Sequence, residues 1–210
     1  MLLTLLVLVP LLSTLACWPL RERAVVERLN LLAFASAALL AAWLGAEILA
    51  RGTVEAFGGF LRVDALSALV VCLTAFVALA CSIYAVGYLR EEERAGKISA
   101  RLLHRYYVLT PIFVGTMMAV PLVNNLGLLW VAIEYTTLAS VLLVRFYNQK
   151  SSLEAAWKYS TIDHAGIMVA ALGFGGKLGA LEAVLHMLFH GVTKPLMFFC
   201  ANNISGLVTP

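Results

Sequence analysis

Few residues in this chain have types and spacings that suggest chemistry, and they sit in apolar surroundings. Glu134 lies in the run Leu129-Trp130-Val131-Ala132-Ile133-Glu134. A charged group at the centre of a bilayer costs roughly 2.5–3.5 kcal/mol on insertion scales. Such a carboxyl must face other helices or water, where it either bonds to a neighbour or relays protons. Glu182, His186, His190 and Lys194 recur every four residues, which places them on one stripe of a helix. Imidazole changes charge near neutral pH, and a lysine withdrawn from water loses its proton more readily. The row suits proton hopping or charge coupling, or else only holds helices together. Pro195 follows Lys194 and would free the Gly191 carbonyl, a polar defect able to hold water. His186 and His190 have a spacing that suits zinc, but no third ligand is convincing.

A second group precedes that stripe. Glu154 and Lys158 are four apart and can pair on one face. Asp163 and His164 point about 140° and 240° round from Lys158. Three geometries answer this spread. The helix contacts protein nearly all round, or it begins in the headgroup region, or it joins pieces that belong to different helices.

These groups need elements that live in lipid. Of 210 residues, 62% are hydrophobic and 13% are charged, the latter about half the usual fraction. Mean hydropathy is +0.91. Disorder, collagen-like repeats and a soluble globular domain are excluded on these grounds. Apolar blocks lie near 2–20, 29–50, 65–89, 106–122, 126–144, 153–174 and 181–203. At about 20 residues per span, they predict an all-α polytopic transmembrane helix bundle of about seven helices. Helices are expected because backbone groups in lipid must bond internally, and stretches such as Ala65 to Ala80 lack the alternation of a β-barrel strand. The first block has no Lys or Arg before Arg21 and a poor cleavage site at Cys17-Trp18-Pro19, so it reads as a retained helix.

Loop charge sets an expected orientation. The 21–28 loop carries Arg21, Arg23 and Arg28, the 90–105 loop five cations, and the 145–152 loop Arg145 and Lys150. The alternate loops are poorer, which puts the N-terminus outside and the C-terminus in the cytoplasm. Asn124 and Asn125 read as a tight turn between spans four and five. The four cysteines are scattered in apolar stretches with no CxxC, so no redox centre, metal or other cofactor is expected here. Net charge of +3, with no basic run among exposed aromatics, gives no sign of nucleic-acid binding. No nucleophile–base pair or phosphate loop suggests a lone enzyme.

Several stretches resemble the antiporter-like membrane subunits of respiratory complex I and of membrane-bound nickel–iron hydrogenases, in particular those of the hydrogenase-4 and formate hydrogenlyase type. They are Val63-Asp64-Ala65-Leu66-Ser67-Ala68-Leu69, Tyr84-Ala85-Val86-Gly87-Tyr88-Leu89, Asn124 through Glu134, Leu153 through Tyr159, Tyr159 through Ile167 and His186 through Lys194. The resemblance implies that Glu134 matches a fifth-helix glutamate that pairs with a buried lysine and helps drive proton movement. It implies that His186, His190 and Lys194 match a histidine–lysine row of the central polar axis. Asp163 and His164 match a variable polar pair near the start of a later helix, and Lys158 falls at a lysine position of the sixth-helix motif.

The chain departs from the pattern as well. Family members run to about fourteen helices built from inverted repeats. Here the sixth-helix motif runs straight into one that normally lies several helices later, and the two share Tyr159. No Trp-Leu-Pro occurs. The expectation is a partial antiporter-like fold, shortened internally and at its C-terminal side. Residues 1–210 form one transmembrane domain, in which 1–158 carry the first helices and 159–210 resemble later ones.

The expected function is a multi-pass subunit of the cell inner (plasma) membrane. It would couple electron transfer on partner chains to proton or sodium translocation through Glu134, Lys158, Asp163, His164, His186, His190 and Lys194. Its partners would be the lipid bilayer and other subunits of a hydrogenase or complex I-like assembly. The alternatives are a structural or assembly subunit without transport and a sodium/proton antiporter subunit.

Overall fold

The computed structural model describes residues 1–144, 158, 162, 164–173 and 175–189. The chain forms two compact units, Met1–Ala156 and Trp157–Pro210. The first contains α1 (Leu2–Cys17), α2 (Arg23–Arg51), α3 (Ala65–Arg94), α4 (Ala100–Ala119) and α5 (Leu126–Val144). In the second, residues 164–173 and 176–189 are helical. The segments Arg23–Arg51, Ala65–Arg94 and Gly127–Val144 are each long and apolar enough to cross a bilayer, and Leu2–Cys17 and His164–Gly173 are shorter apolar helices. The protein is an all-α membrane-type bundle, as the composition predicts.

The helices overrun the apolar blocks. α2 and α3 have 29 and 30 residues, about 45 Å at 1.5 Å per residue, against a hydrocarbon thickness of about 30 Å. Backbone hydrogen bonding does not stop where lipid stops, so charged residues expected in loops continue the helices. Arg23, Glu27 and Arg28 belong to α2, and Arg90 and Arg94 to α3. What ends each helix is local. Gly52 (φ 80°) and Gly96 (φ 72°) turn the chain in a conformation that side chains disfavour. Three side chains open the next helices. Asp64 accepts from the Ser67 N–H at 2.8 Å, Ser99 from Leu102 at 3.4 Å, and Asn125 from Leu128 at 3.1 Å. The Ser67 bonds hold the Asp64 carboxyl below its ordinary range, and Glu92 holds the Lys97 ammonium above its own.

A small antiparallel hairpin, absent from the sequence expectation, joins α2 to α3. Its strands are β1 (Val54–Ala56) and β2 (Leu61–Val63), with Glu55 opposite Arg62. Phe57, Gly58 and Gly59 all have positive φ at its tip, and the two glycines make that turn affordable. Asn124 docks on it. Its backbone N–H reaches the Phe60 carbonyl at 2.9 Å, and its side-chain amide reaches the Gly59 carbonyl at 3.0 Å. The expected tight link between α4 and α5 therefore sits on the hairpin, and Asn125 opens α5.

Small residues let the helices approach. α2 buries Ala33, Ala37, Ala41, Leu44 and Ile48, and α3 buries Ala68, Val71, Ala75, Ala85 and Leu89. Alanines at helical spacing on both sides bring two backbones close without a volume mismatch. The opposite faces carry exposed Leu39, Leu49, Leu66, Leu73 and Phe76, which suits lipid contact. α1 meets α4 at Gly115, where an added Cβ would lie 3.4 Å from Leu11 Cδ2 and 3.5 Å from Pro10 Cβ. A methyl group fits at those distances and a longer side chain does not. Gly115→Ala should leave stability unchanged or slightly raised. Gly115→Leu should lower it by about 1–3 kcal/mol, read as a lower Tm of the full chain in detergent.

Candidate functional site

Glu134 is held by α5. Asn125 fixes where that helix begins, and Glu134 follows Leu126 by about 12 Å of axial rise, near the middle of the span Gly127–Val144. Its side chain is buried, on a helix that also buries Thr137 and Ser140. Both hydroxyls donate within their own helix, Thr137 to the Ile133 carbonyl at 3.1 Å and Ser140 to the Thr137 carbonyl at 2.8 Å. The mid-span carboxyl expected from the sequence is therefore inside protein.

The second unit brings two histidines together. His164 Nδ1 and His186 Nε2 lie 2.9 Å apart, with ring centroids at 5.1 Å and planes inclined by 27°. Exposure is 0% for His164 and 7% for His186. The contact is a hydrogen bond in which one ring nitrogen carries the proton and the other accepts it. Among the described residues, Lys158 and Glu182 are both exposed. The stripe through Glu182 and His186 thus passes from surface to interior within one turn. Asp163, His190 and Lys194 lie outside the described residues. Glu134 and the histidine pair belong to different units.

A third polar cluster escaped the sequence reading. Glu27, 2% exposed, accepts from Arg23 Nε at 2.8 Å and from Arg90 Nη2 at 2.6 Å. Arg23 also pairs with Glu93. Two guanidinium groups and two carboxylates form a neutral network that ties the start of α2 to the end of α3. One turn further along α2, Asn30 donates to the Tyr107 carbonyl at 3.0 Å and the Val26 carbonyl at 3.2 Å, and contacts Cys17 Sγ at 3.4 Å. The Tyr107 carbonyl is available because residue 111, four positions on, is proline and has no N–H. Thr14 of α1 reaches the adjacent Val108 carbonyl at 3.3 Å. A sequence signal existed in Arg23 and Glu27 at i, i+4, with Asn30 three residues beyond. It was hidden because charge-rich 21–28 reads as a loop. Glu27→Ala should cost roughly 2–3 kcal/mol and lower Tm, because two guanidinium groups lose their shared partner. Arg94→Ala, which breaks an exposed pair with Glu91, should leave Tm unmoved.

Comparison with known proteins follows the same geography. Residues 59–97, covering β2 and α3, match the N-terminal region model of NADH-ubiquinone oxidoreductase (complex I) chain 5. Residues 158–208 match the transmembrane model of the NADH:quinone oxidoreductase/Mrp antiporter family. The chain is 34% identical over 116 residues to a hydrogenase-4 component F homolog of Methylacidiphilum infernorum, which is 55% of this chain and 24% of that protein. It is 33% identical over 125 residues to hydrogenase-4 component B of Escherichia coli, covering 58% of this chain and 18% of that protein. It is 35% identical over 96 residues to F(420)H(2) dehydrogenase subunit L of Methanosarcina mazei, covering 46% of this chain and 13% of that protein. The matched stretches thus span about a quarter or less of each relative's length.

Proposed function

From the premise that this chain belongs to the antiporter-like membrane-subunit family of complex I and membrane-bound hydrogenases, we propose that it moves protons within a hydrogenase or complex I-like assembly. The redox chemistry lies on partner chains. The bilayer is the cell inner membrane, and the arginine-rich ends near Arg21–Arg28 and Arg90–Arg105 face the cytoplasm, which leaves the N-terminus outside. That orientation rests on loop charge.

The observation that carries the reading is the buried His164–His186 bond of 2.9 Å. Consider the tautomer in which His186 Nε2–H donates to His164 Nδ1. A proton added at His186 Nδ1 makes that ring cationic. The Nε2 proton then crosses to His164 Nδ1, and the proton on His164 Nε2 passes to the next base in the pathway, a carboxylate or a water molecule. One proton enters, one leaves, and both rings end neutral. The step needs two adjacent imidazoles shielded from bulk water, and the pair is buried at 0% and 7% exposure. Glu134, mid-span in the first unit, has a carboxyl that suits an acceptor role, and Lys158, Asp163, His190 and Lys194 are further members of the proposed pathway. A sodium-coupled version would use the same groups as charge partners.

The test is proton uptake by the assembled complex in sealed vesicles. Glu134→Gln and His186→Leu should each lower pumping per electron by about 100-fold while the complex still assembles and transfers electrons. Full pumping in both variants would remove these residues from the pathway. Loss of assembly on deleting the chain, with pumping indifferent to every titratable substitution, would instead identify a structural subunit.

A further inference from the structure

Where α1, α2 and α4 meet, two buried polar groups lack what they need. Asn30 and Tyr107 are each 1% exposed. The Asn30 amide nitrogen is engaged by the Tyr107 and Val26 carbonyls and by Cys17 Sγ. Its oxygen, Oδ1, has no donor among the described residues, and the Tyr107 hydroxyl has no partner among them either. Rotating the amide by 180° does not help, because it would set Oδ1 against two carbonyl oxygens. The orientation is fixed, and the unmet acceptor with it.

The surroundings are charged as well as polar. A side chain on a helix leans toward the helix N-terminus, so Tyr107 leans toward the Ser99 end of α4, where α2 starts and α3 finishes. The electrostatic partners of its hydroxyl include Glu27, Tyr106, Arg23 and Arg90. Among the groups at this junction, Glu27 and Arg23 come from α2, Arg90 and Glu93 from α3, Tyr106 from α4 and Cys17 from α1. Arg23 and Arg90 reach solvent, being 33% and 47% exposed, whereas Glu27, Asn30 and Tyr107 do not. The sequence of groups runs from a wet rim to a buried carboxylate and then to the two unmet atoms beside the turn of α4 that precedes Pro111.

We propose that the junction of α1, α2 and α4 holds ordered water at these two atoms and forms a hydrated inlet into the first unit, entered between Arg23 and Arg90. Water is the ligand whose chemistry fits. Water molecules can donate to Asn30 Oδ1 and accept from the Tyr107 hydroxyl, and buried polar groups without a protein partner are where such water resides. An apolar occupant would leave both atoms unmet. A metal cation is disfavoured by the two neighbouring guanidinium groups. The inlet uses none of the residues of the Glu134 and histidine pathway and stands whether or not that pathway carries protons.

The test is radiolytic hydroxyl-radical footprinting of the complete chain in its membrane assembly, where radicals form at bound water and mark side chains beside it. Phe34 is the reference, since it is equally buried, 1% exposed, and lies in the apolar core. After correction for intrinsic reactivity, Tyr107 should be oxidised several-fold faster than Phe34. In Tyr107→Phe, which keeps the ring and removes the hydroxyl, oxidation of Cys17 should fall several-fold. Equal rates for Tyr107 and Phe34 in the wild-type chain would overturn the inlet, as would Cys17 oxidation indifferent to Tyr107→Phe. Neither readout depends on proton pumping, so failure here leaves the pathway reading intact and the converse also holds.

Discussion

A chain dissolved in lipid must meet its own polar groups, and that requirement organises the first unit around Pro111. Proline has no N–H, so α4 carries a carbonyl at Tyr107 that its own ladder cannot satisfy. In water the defect would be trivial. Here Asn30 supplies the donor from α2, and Thr14 supplies one from α1 to the next carbonyl. Two helices are thereby fixed in depth and rotation against a third. The close approach of α1 at Gly115 lies about two turns further along α4 on the same seam. α3 is then fixed to α2 by alanine-lined packing along its length and by Glu27 at its end.

The parts of this arrangement visible in sequence are those where polarity contradicts its surroundings. Glu134 stands out because an acid in an uninterrupted apolar run has few physical explanations. His186 stands out through its four-residue spacing from other titratable groups. Periodicity gives the face of a helix but not the neighbour opposite, so the bond between His164 and His186, 22 residues apart, could not be read from it. Helix ends were misplaced for a related reason. Hydropathy reports where lipid contact stops, whereas the hydrogen-bond ladder of α2 already begins at Arg23 and that of α3 runs on to Arg94. Once residues 21–28 read as loop, Arg23 and Glu27 lost their helical spacing, and the buried network went unseen. The hairpin is short, three residues per strand, and Gly58-Gly59 was its main signal.

The two kinds of buried polar cluster differ in what their protons can do. Arginine does not give up its proton under any accessible condition. The Arg23–Glu27–Arg90–Glu93 network therefore holds charge in place, and its four charges cancel. It can stiffen the junction of α2 and α3 and hold water nearby, but a proton does not pass through a guanidinium group. An imidazole pair has the opposite character. Its two rings share one hydrogen bond of 2.9 Å, and imidazole as a type can either hold or release the proton in such a bond. Exchanging the two would bury a permanent cation without a carboxylate partner and leave the helix ends without an ion pair. The placement of arginine at the rim and of histidine and glutamate within is thus a consequence of proton affinity and desolvation together. Neither hydropathy nor net charge alone would produce it.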